Sequence, residues 1–166
     1  MKLTRRSLLE SGWKVGGGVL TLIAGWTSWE LLRPLKADGA TGPINAGNAG
    51  NFPGGSATYV GAGRFWIANP DGTHLFALSQ KCPHLGCRVP FCESSGRFEC
   101  PCHGSIFDLG GEYIAGPSPR GMDQFDVTID AAGNLIVDTS KRKDGPAHGA
   151  SAFYSDPKGP SCKESG

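Results

Sequence analysis

Two short segments rich in cysteine and histidine constrain this chain more than any other feature. The first covers residues 82–87 (Cys-Pro-His-Leu-Gly-Cys), and the second covers residues 100–105 (Cys-Pro-Cys-His-Gly-Ser). Together they hold four of the six cysteines and two of the four histidines of a 166-residue chain. Proline and glycine in both segments favour tight turns, which leave the side chains free to converge. The pattern therefore predicts a centre that two loops build together.

Three interpretations of these segments compete. A zinc site explains Cys-x-His and Cys-x-x-His, because thiolates and imidazoles are zinc ligands. It leaves one further cysteine in each segment unexplained. A set of disulfides explains the cysteines but not the paired histidines. An iron–sulfur centre of the Rieske type, in which two cysteines hold one iron and two histidines hold the other, accounts for both residue types.

The paired segments resemble the cluster-binding loops of Rieske subunits in cytochrome bc-type quinol:cytochrome c oxidoreductases. The resemblance extends over roughly residues 1–140. It implies that Cys82 and Cys100 ligate the buried iron of a [2Fe–2S] cluster. It also implies that His84 and His103 ligate the outer iron at the tip of the head. An iron-bound histidine that faces solvent can accept a proton and an electron together, so the two histidines are also the expected catalytic residues.

Further residues next to the ligands take roles from the same resemblance. Cys87 and Cys102 are expected to form a disulfide between the two loops. Leu85 resembles the residue that covers the cluster, and Ser105 resembles the serine whose hydroxyl donates to a bridging sulfide. Residues 116–119 (Gly-Pro-Ser-Pro) resemble the proline-containing loop that shields a third side of the cluster.

Three residues depart from the family pattern. Phe107 stands where high-potential members have a tyrosine that donates a hydrogen bond to a ligand sulfur. Cys92 and Cys162 have no counterpart, and an even remainder of cysteines in an oxidising compartment favours a bond between them. Two free thiols, or a bond from Cys162 to another subunit, are the alternatives. Sequence alone does not fix this connectivity.

Residues 12–32 form a largely apolar stretch near the N-terminus. As a helix it would span roughly 31 Å at about 1.5 Å per residue, which matches a bilayer core of about 30 Å. We therefore expect a single transmembrane anchor, preceded by a cytoplasmic segment at residues 1–11. Residues 4–9 (Thr-Arg-Arg-Ser-Leu-Leu) resemble a twin-arginine export signal. A cleaved signal peptide, or two charges that obey the positive-inside rule, are the alternatives.

Composition divides the rest of the chain into three parts. Residues 33–56, rich in glycine, alanine and asparagine, predict a flexible linker. Residues 57–140 carry short alternating strands with turn signals. They predict an all-β Rieske head, made of small antiparallel sheets with a loop-rich cluster-binding subdomain, on the single N-terminal helix. Residues 141–166 predict a polar tail that is disordered alone or wraps a partner.

Charge and resemblance together define the expected function. A net charge of only +1 gives no basic footprint for nucleic acid. The resemblance implies electron transfer from membrane quinol to a cytochrome c-like acceptor, beside a cytochrome b-type subunit, in an oxidoreductase complex where this chain is not catalytic alone. Disulfides need an oxidising compartment, so we expect the head on the extracytoplasmic side of a prokaryotic cytoplasmic membrane. The alternative is the small Rieske subunit of an arsenite-oxidase-like molybdoenzyme.

Overall fold

A computed structural model describes residues 4–33, 41–149 and 151–162. The chain divides into two compact units, residues 1–38 and 39–166. The first unit contains one helix, α1 (Arg5–Leu32). Thr4 caps this helix, because its hydroxyl oxygen accepts the Ser7 amide (3.2 Å) while the Ser7 hydroxyl accepts the Thr4 amide (3.1 Å).

The expected transmembrane anchor at residues 12–32 is not supported. Among the described residues, no helix is both long and apolar enough to cross a membrane. The stretch contains five glycines and three hydroxyl side chains, and Lys14 and Glu30 add charges near its ends. These residues lower the mean hydropathy of the segment, although the helix runs through all of them without a break.

The second unit is built from short antiparallel strands. Within its described residues the strands, numbered in chain order, are β1 (Pro43–Asn48), β2 (Ser56–Val60), β3 (Phe65–Asn69), β4 (Phe76–Ser79), β5 (Phe91–Cys92), β6 (Arg97–Glu99), β7 (Ile106–Phe107), β8 (Tyr113–Ala115), β9 (Gln124–Ile129) and β10 (Asn134–Lys143). A 3-10 turn at Ala49–Asn51 follows β1. Six strands form one sheet in the order β1-β10-β9-β4-β3-β2, and four form a second in the order β5-β6-β7-β8. The prediction of an all-β head is confirmed.

Alternating side chains divide the core of the head into two clusters. Phe65 and Ile67 of β3 pack with Val137 of β10 in one cluster. Leu78 of β4 packs in the other cluster with Phe107 of the small sheet, so this second core joins the two sheets. The small sheet also carries the two predicted segments, residues 82–87 before β5 and residues 100–105 between β6 and β7. Its packing therefore fixes where both loops begin and end.

The predicted linker at residues 33–56 requires correction. Residues 34–40 lie outside the described residues, but Pro43–Asn48 is strand β1 at the edge of the large sheet. Ile44 pairs with Val137 of β10. Ile44 and Ala46 both pack against the core. Glycine and asparagine between these apolar residues mask the alternation in the sequence. The head therefore begins before residue 57.

The predicted disordered tail at residues 141–166 also requires correction. Strand β10 continues to Lys143, and residues 144–149 and 151–162 pack on the head itself. The Arg97 guanidinium donates to the Ser155 carbonyl (2.7 Å), and the Phe153 ring packs edge-on against Phe76 (5.2 Å between centroids). One polar contact and one aromatic contact thus help to hold a segment of low apolar content. Residues 150 and 163–166 lie outside the described residues.

Candidate metal centre

The first loop, residues 82–87, is closed by two main-chain hydrogen bonds. The Cys82 amide donates to the Cys87 carbonyl (2.8 Å), and the Gly86 amide donates back to the Cys82 carbonyl (2.9 Å). Gly86 has a φ of +78°, a left-handed conformation in which glycine has no Cβ to clash. The loop therefore turns sharply between its two cysteines and presents Pro83, His84 and Leu85 at its tip.

The second loop, residues 100–105, repeats this frame at the same spacing. The Cys100 amide donates to the Ser105 carbonyl (2.8 Å), and the Gly104 amide donates to the Cys100 carbonyl (3.1 Å). Gly104 has a φ of +76°, close to the value at Gly86. In both loops the first cysteine lies at the base and a histidine lies two or three residues later. The two loops are thus equivalent supports for one cysteine and one histidine each.

The two cysteines at the loop bases are free thiols held inside the protein. Cys82 is 3% exposed and Cys100 is 2% exposed. Burial raises the pKa of the Cys82 thiol, the main-chain amide of His84 opposes this by donating to the sulfur, and the neighbouring Cys100 raises it further. Two buried thiols that share one environment are suited to a metal, because metal binding replaces their protons.

The two histidines lie side by side at the loop tips. The ring centroids of His84 and His103 are 4.9 Å apart, with the planes perpendicular. His103 is exposed, whereas His84 is half-buried and its Nδ1 atom is buried without a hydrogen-bond partner. A buried ring nitrogen without a partner is costly unless a ligand takes its lone pair. Leu85, the residue after His84, is 70% exposed, so an apolar side chain lies in solvent on the first loop.

Ser105 and residues 116–119 border the same place. The Ser105 hydroxyl is buried and has no hydrogen-bond partner. Gly116 packs on the second loop so closely that a Cβ there would lie 2.5 Å from the Ser105 Cα. Two buried free thiols, two adjacent imidazoles, one unpaired ring nitrogen and one unpaired hydroxyl fit a [2Fe–2S] cluster of the Rieske type. The structure therefore brings the two thiols together, the two imidazoles together, and Ser105 against residue 116 of the proline-containing loop.

Possible metal-ligand atoms also come close together beside the two disulfides. Across residues 4–33, 41–149 and 151–162, two groups of three ligand atoms lie within 4.8 Å of one another. These are Cys87, Cys100 and Cys102 in one group, and Cys92, Glu99 and Cys162 in the other. Each group contains a disulfide, and bonded sulfurs are not thiolate ligands. Of the two free thiols, Cys100 belongs to the first of these groups and Cys82 to neither.

Both cysteine pairs named from the sequence are bonded. Cys87 and Cys102 join the first loop to the second, with their Cα atoms 6.6 Å apart. Cys92 of β5 is bonded to Cys162 in the tail, with Cα atoms 5.8 Å apart. Next to the second bond, the buried carboxylate of Glu99 accepts the Ser161 hydroxyl (2.6 Å) and the Cys162 amide (3.0 Å). The tail is thereby tied to the strand that leads into the second loop.

Sequence reasoning did not identify Tyr113 and His148, which the structure brings to the site. His148 of the tail stacks on Tyr113 and contacts residue 118 of the proline-containing loop. No spacing in the sequence relates these residues, because they meet only through the path of the tail. His74, in contrast, lies in an exposed turn and pairs with Asp71.

Comparisons with known proteins agree with this geometry. A family model described as the Rieske [2Fe–2S] domain matches residues 44–126. The chain is 31% identical to the cytochrome b6-f complex iron–sulfur subunit of Chlorobaculum tepidum, over 80% of this chain and 74% of that protein. It is 34% identical to the corresponding subunit of Prochlorococcus marinus, over 64% of this chain and 68% of that protein.

Among solved structures, the plasma membrane Rieske protein of the cyanobacterium Synechocystis is similar, with 24% identity over 57% of this chain and 97% of that one, and a TM-score of 0.45. The expected resemblance to Rieske subunits of cytochrome bc-type complexes is confirmed by the sequence comparisons. The chain belongs to the Rieske [2Fe–2S] family, and a Rieske [2Fe–2S] cluster is its cofactor.

Proposed function

We propose that this chain is the electron-transfer subunit of a cytochrome bc-type complex that takes electrons from quinol and passes them to a cytochrome c-like acceptor. The observation that carries the proposal is the pair of equivalent loops, which place two buried thiols behind two imidazoles at one surface. The names of the relatives, iron–sulfur subunits of cytochrome b6-f complexes, support the assignment to such a complex.

Each ligand residue has a distinct part in this proposal. Cys82 and Cys100, which are buried, hold one iron, and His84 and His103 hold the other. When bound, the cluster supplies a one-electron carrier whose potential is raised because neutral imidazoles replace two charged thiolates. The unpaired Nδ1 of His84 would be the ligand atom, which would leave Nε2 of that ring to accept a proton. His103 is exposed and meets a substrate or partner directly.

The surface around the histidines suits a reaction with a lipid-soluble substrate. Leu85 projects beside them with most of its side chain in solvent. An apolar residue at the tip can enter an apolar pocket of a membrane subunit, where the quinol hydroxyl would donate to the free imidazole nitrogen. The ring would then hold the proton that leaves with the electron. Ser105 would donate its hydroxyl to a sulfide, which satisfies an otherwise unpaired buried group.

The partners and location follow from the same proposal. The electron donor site lies on a cytochrome b-type subunit, and the acceptor is a cytochrome c-like protein, so the chain works at a membrane. Two disulfides in one small head require an oxidising compartment. We therefore place the head on the extracytoplasmic side of a prokaryotic cytoplasmic membrane. Residues 4–9, which resemble a twin-arginine signal, fit export of a folded head with its cluster.

Purification from the native membrane tests the assignment to a complex. We expect the chain to co-purify with a haem b protein and its cluster to be reduced by added quinol. Co-purification with a large molybdenum-containing subunit and no haem b would contradict the proposal and support the arsenite-oxidase-like alternative. The ligands are tested separately, by His84→Cys and His103→Cys in the full chain. Each should lower the midpoint potential or abolish the cluster, whereas His74→Cys, in an exposed turn, should keep the parent EPR spectrum.

A further inference from the structure

The loop at residues 116–119 lies main chain to main chain on the second cluster loop. Gly116 has a φ of +96°. A Cβ at this position would lie 2.5 Å from the Ser105 Cα and 2.6 Å from the Gly104 carbonyl oxygen, so no side chain fits between the loops. Ser118, two residues later, is buried, and its hydroxyl donates to the Arg120 carbonyl (2.8 Å). The position of this loop therefore decides how closely one side of the second loop is covered.

The C-terminal tail turns back along the chain that leaves this loop. In the tail beyond β10, the Pro146 carbonyl accepts the Gly121 amide (2.8 Å), and Ala147 forms an antiparallel bridge with Arg120. Gly145 lies against Gly121, where a Cβ would come 2.2 Å from the Gly121 carbonyl oxygen. These contacts fix the register of the tail one residue before His148. This main-chain pairing therefore places the His148 imidazole next to the loop at residues 116–119.

His148 and Tyr113 hold the loop at both ends. Their rings stack with centroids 3.7 Å apart and an angle of 17° between the planes. Nε2 of His148 is 2.8 Å from the Ser118 carbonyl oxygen. Because a carbonyl only accepts, Nε2 carries the proton of this bond. The Tyr113 hydroxyl donates to the Gly116 carbonyl (2.7 Å). One stacked pair therefore holds two carbonyls of the same loop.

We propose that His148 is a positioning residue that holds the loop at residues 116–119 closed over the [2Fe–2S] centre. The inference rests on the proposed function, since it takes the two loops to be the cluster site. The contacts form one continuous path. His148 binds the loop at Ser118 and stacks on Tyr113, and Tyr113 binds the loop at Gly116. Gly116 in turn packs on the second cluster loop. Partners outside the ligand set orient a metal site and control its access to water. Without His148, the loop loses the bond to the Ser118 carbonyl and keeps the one from the Tyr113 hydroxyl to the Gly116 carbonyl.

The full chain with its cluster, purified as His148→Ala, provides the test. We expect visible absorbance to be lost about fivefold faster on warming, the factor that corresponds to one hydrogen bond of ordinary net strength. We also expect a shifted midpoint potential and altered EPR line shape, because water would reach the cluster side of the loop. His148→Gln, whose amide can donate to the Ser118 carbonyl, should recover part of both effects. Tyr113→Phe keeps the ring and removes one bond, and it should act in the same direction.

Matched controls separate positioning from a general loss of stability. His74→Ala removes a histidine that also contacts the tail, through Phe153, but lies away from the loop; it should keep the parent rate, potential and EPR spectrum. The inference is overturned if His148→Ala keeps the parent potential and line shape, or if His74→Ala changes them equally. If His148→Ala does not fold, unchanged values in Tyr113→Phe overturn it. A parent protein without a Rieske EPR signal would instead refute the proposed function, and this inference with it.

Discussion

Gly86 and Gly104 occupy the same position in the two cluster loops. Each amide donates to the carbonyl of the cysteine four residues before it, and each glycine has a φ between +76° and +78°. A Cβ at Gly86 would meet nothing within 4 Å. Any cost of a side chain there is therefore conformational and not steric.

Gly86→Ala should destabilise the first loop through its backbone alone. An L-residue in the left-handed region costs roughly 1–2 kcal/mol, so we expect this loss in the free energy of unfolding and earlier loss of the cluster on heating. Gly61→Ala is the matched control, because Gly61 has no left-handed φ and its Cβ would meet nothing closer than 3.9 Å. Equal stability of the two variants in urea titrations would refute the prediction.

The bond between Cys87 and Cys102 should determine how long the cluster is retained. It closes a sequence separation of 15 residues, for which the chain-entropy treatment gives roughly 3 kcal/mol. We expect the Cys87→Ser/Cys102→Ser double variant to assemble a cluster, because all four proposed ligands remain, and to lose it at lower temperature. The measurement is visible absorbance during a thermal ramp. A double variant as heat-stable as the parent would contradict the role assigned to this bond.

The bond between Cys92 and Cys162 should protect the tail. Non-reducing peptide mapping is expected to recover these two cysteines in one linked peptide, and unlinked alkylated peptides would contradict the structure. The Lys158 amide donates to the Ser95 carbonyl (3.0 Å) close to this bond. We therefore expect trypsin to cleave after Lys158 faster in Cys92→Ser/Cys162→Ser than in the parent. The double variant of Cys87 and Cys102 serves as the control, and its cleavage after Lys158 should match that of the parent.

Local patterns were readable from the sequence, and distant pairings were not. The cluster loops could be predicted because each one is six residues long and carries its ligands, glycine and disulfide cysteine within that length. Strand β1 could not, since Ile44 finds its partner Val137 across nearly the whole head. The same holds for His148, whose partners Tyr113 and Ser118 lie 30 or more positions away.

Composition gave a wrong prediction for the tail. The tail looks disordered because its apolar content is low, yet it is held by a disulfide and by head carboxylates such as Glu99. In the tail, average composition was a poor guide because particular contacts decided the outcome. The segment at residues 12–32 has the length of a membrane span, its glycines and hydroxyl residues dilute the apolar character, and the anchor stays a prediction.

Phe107→Tyr should raise the reduction potential of the cluster. Phe107 is fully buried in β7, at the position where the family pattern has a hydroxyl donor to a ligand sulfur. A hydrogen bond to a charged group is worth roughly 1.5–3 kcal/mol, and part of it differs between redox states. We expect a rise of several tens of mV, since about 59 mV is tenfold for one electron. Phe98→Tyr, at the buried phenylalanine paired with Phe107, is the control; an equal rise there would refute a specific hydrogen bond.

Asp108 should make the stability of the head depend on pH. Its carboxylate is buried at 2% exposure, where it accepts the Glu112 amide (2.8 Å) and the Ser151 hydroxyl from the tail. Burial raises the pKa of Asp108, the Ser151 hydroxyl opposes this, and the nearby charge of Glu112 adds to the rise. The folded state therefore binds this proton more tightly than the unfolded state does. The contribution to the free energy of unfolding must fall as pH rises from about 4, the unfolded value, through the raised folded pKa.

Asp108→Asn removes this titration while its side-chain oxygen can still accept a hydrogen bond. We expect the variant to gain stability relative to the parent as pH rises through this window, measured by urea unfolding at a series of pH values. Asp130→Asn should show the opposite trend. Hydrogen bonds from Asn134 lower the pKa of Asp130, so its contribution is present above the unfolded pKa and is lost as pH falls. Parallel pH profiles for the parent and Asp108→Asn would refute the assignment, because a buried carboxylate with a raised pKa cannot leave the slope unchanged.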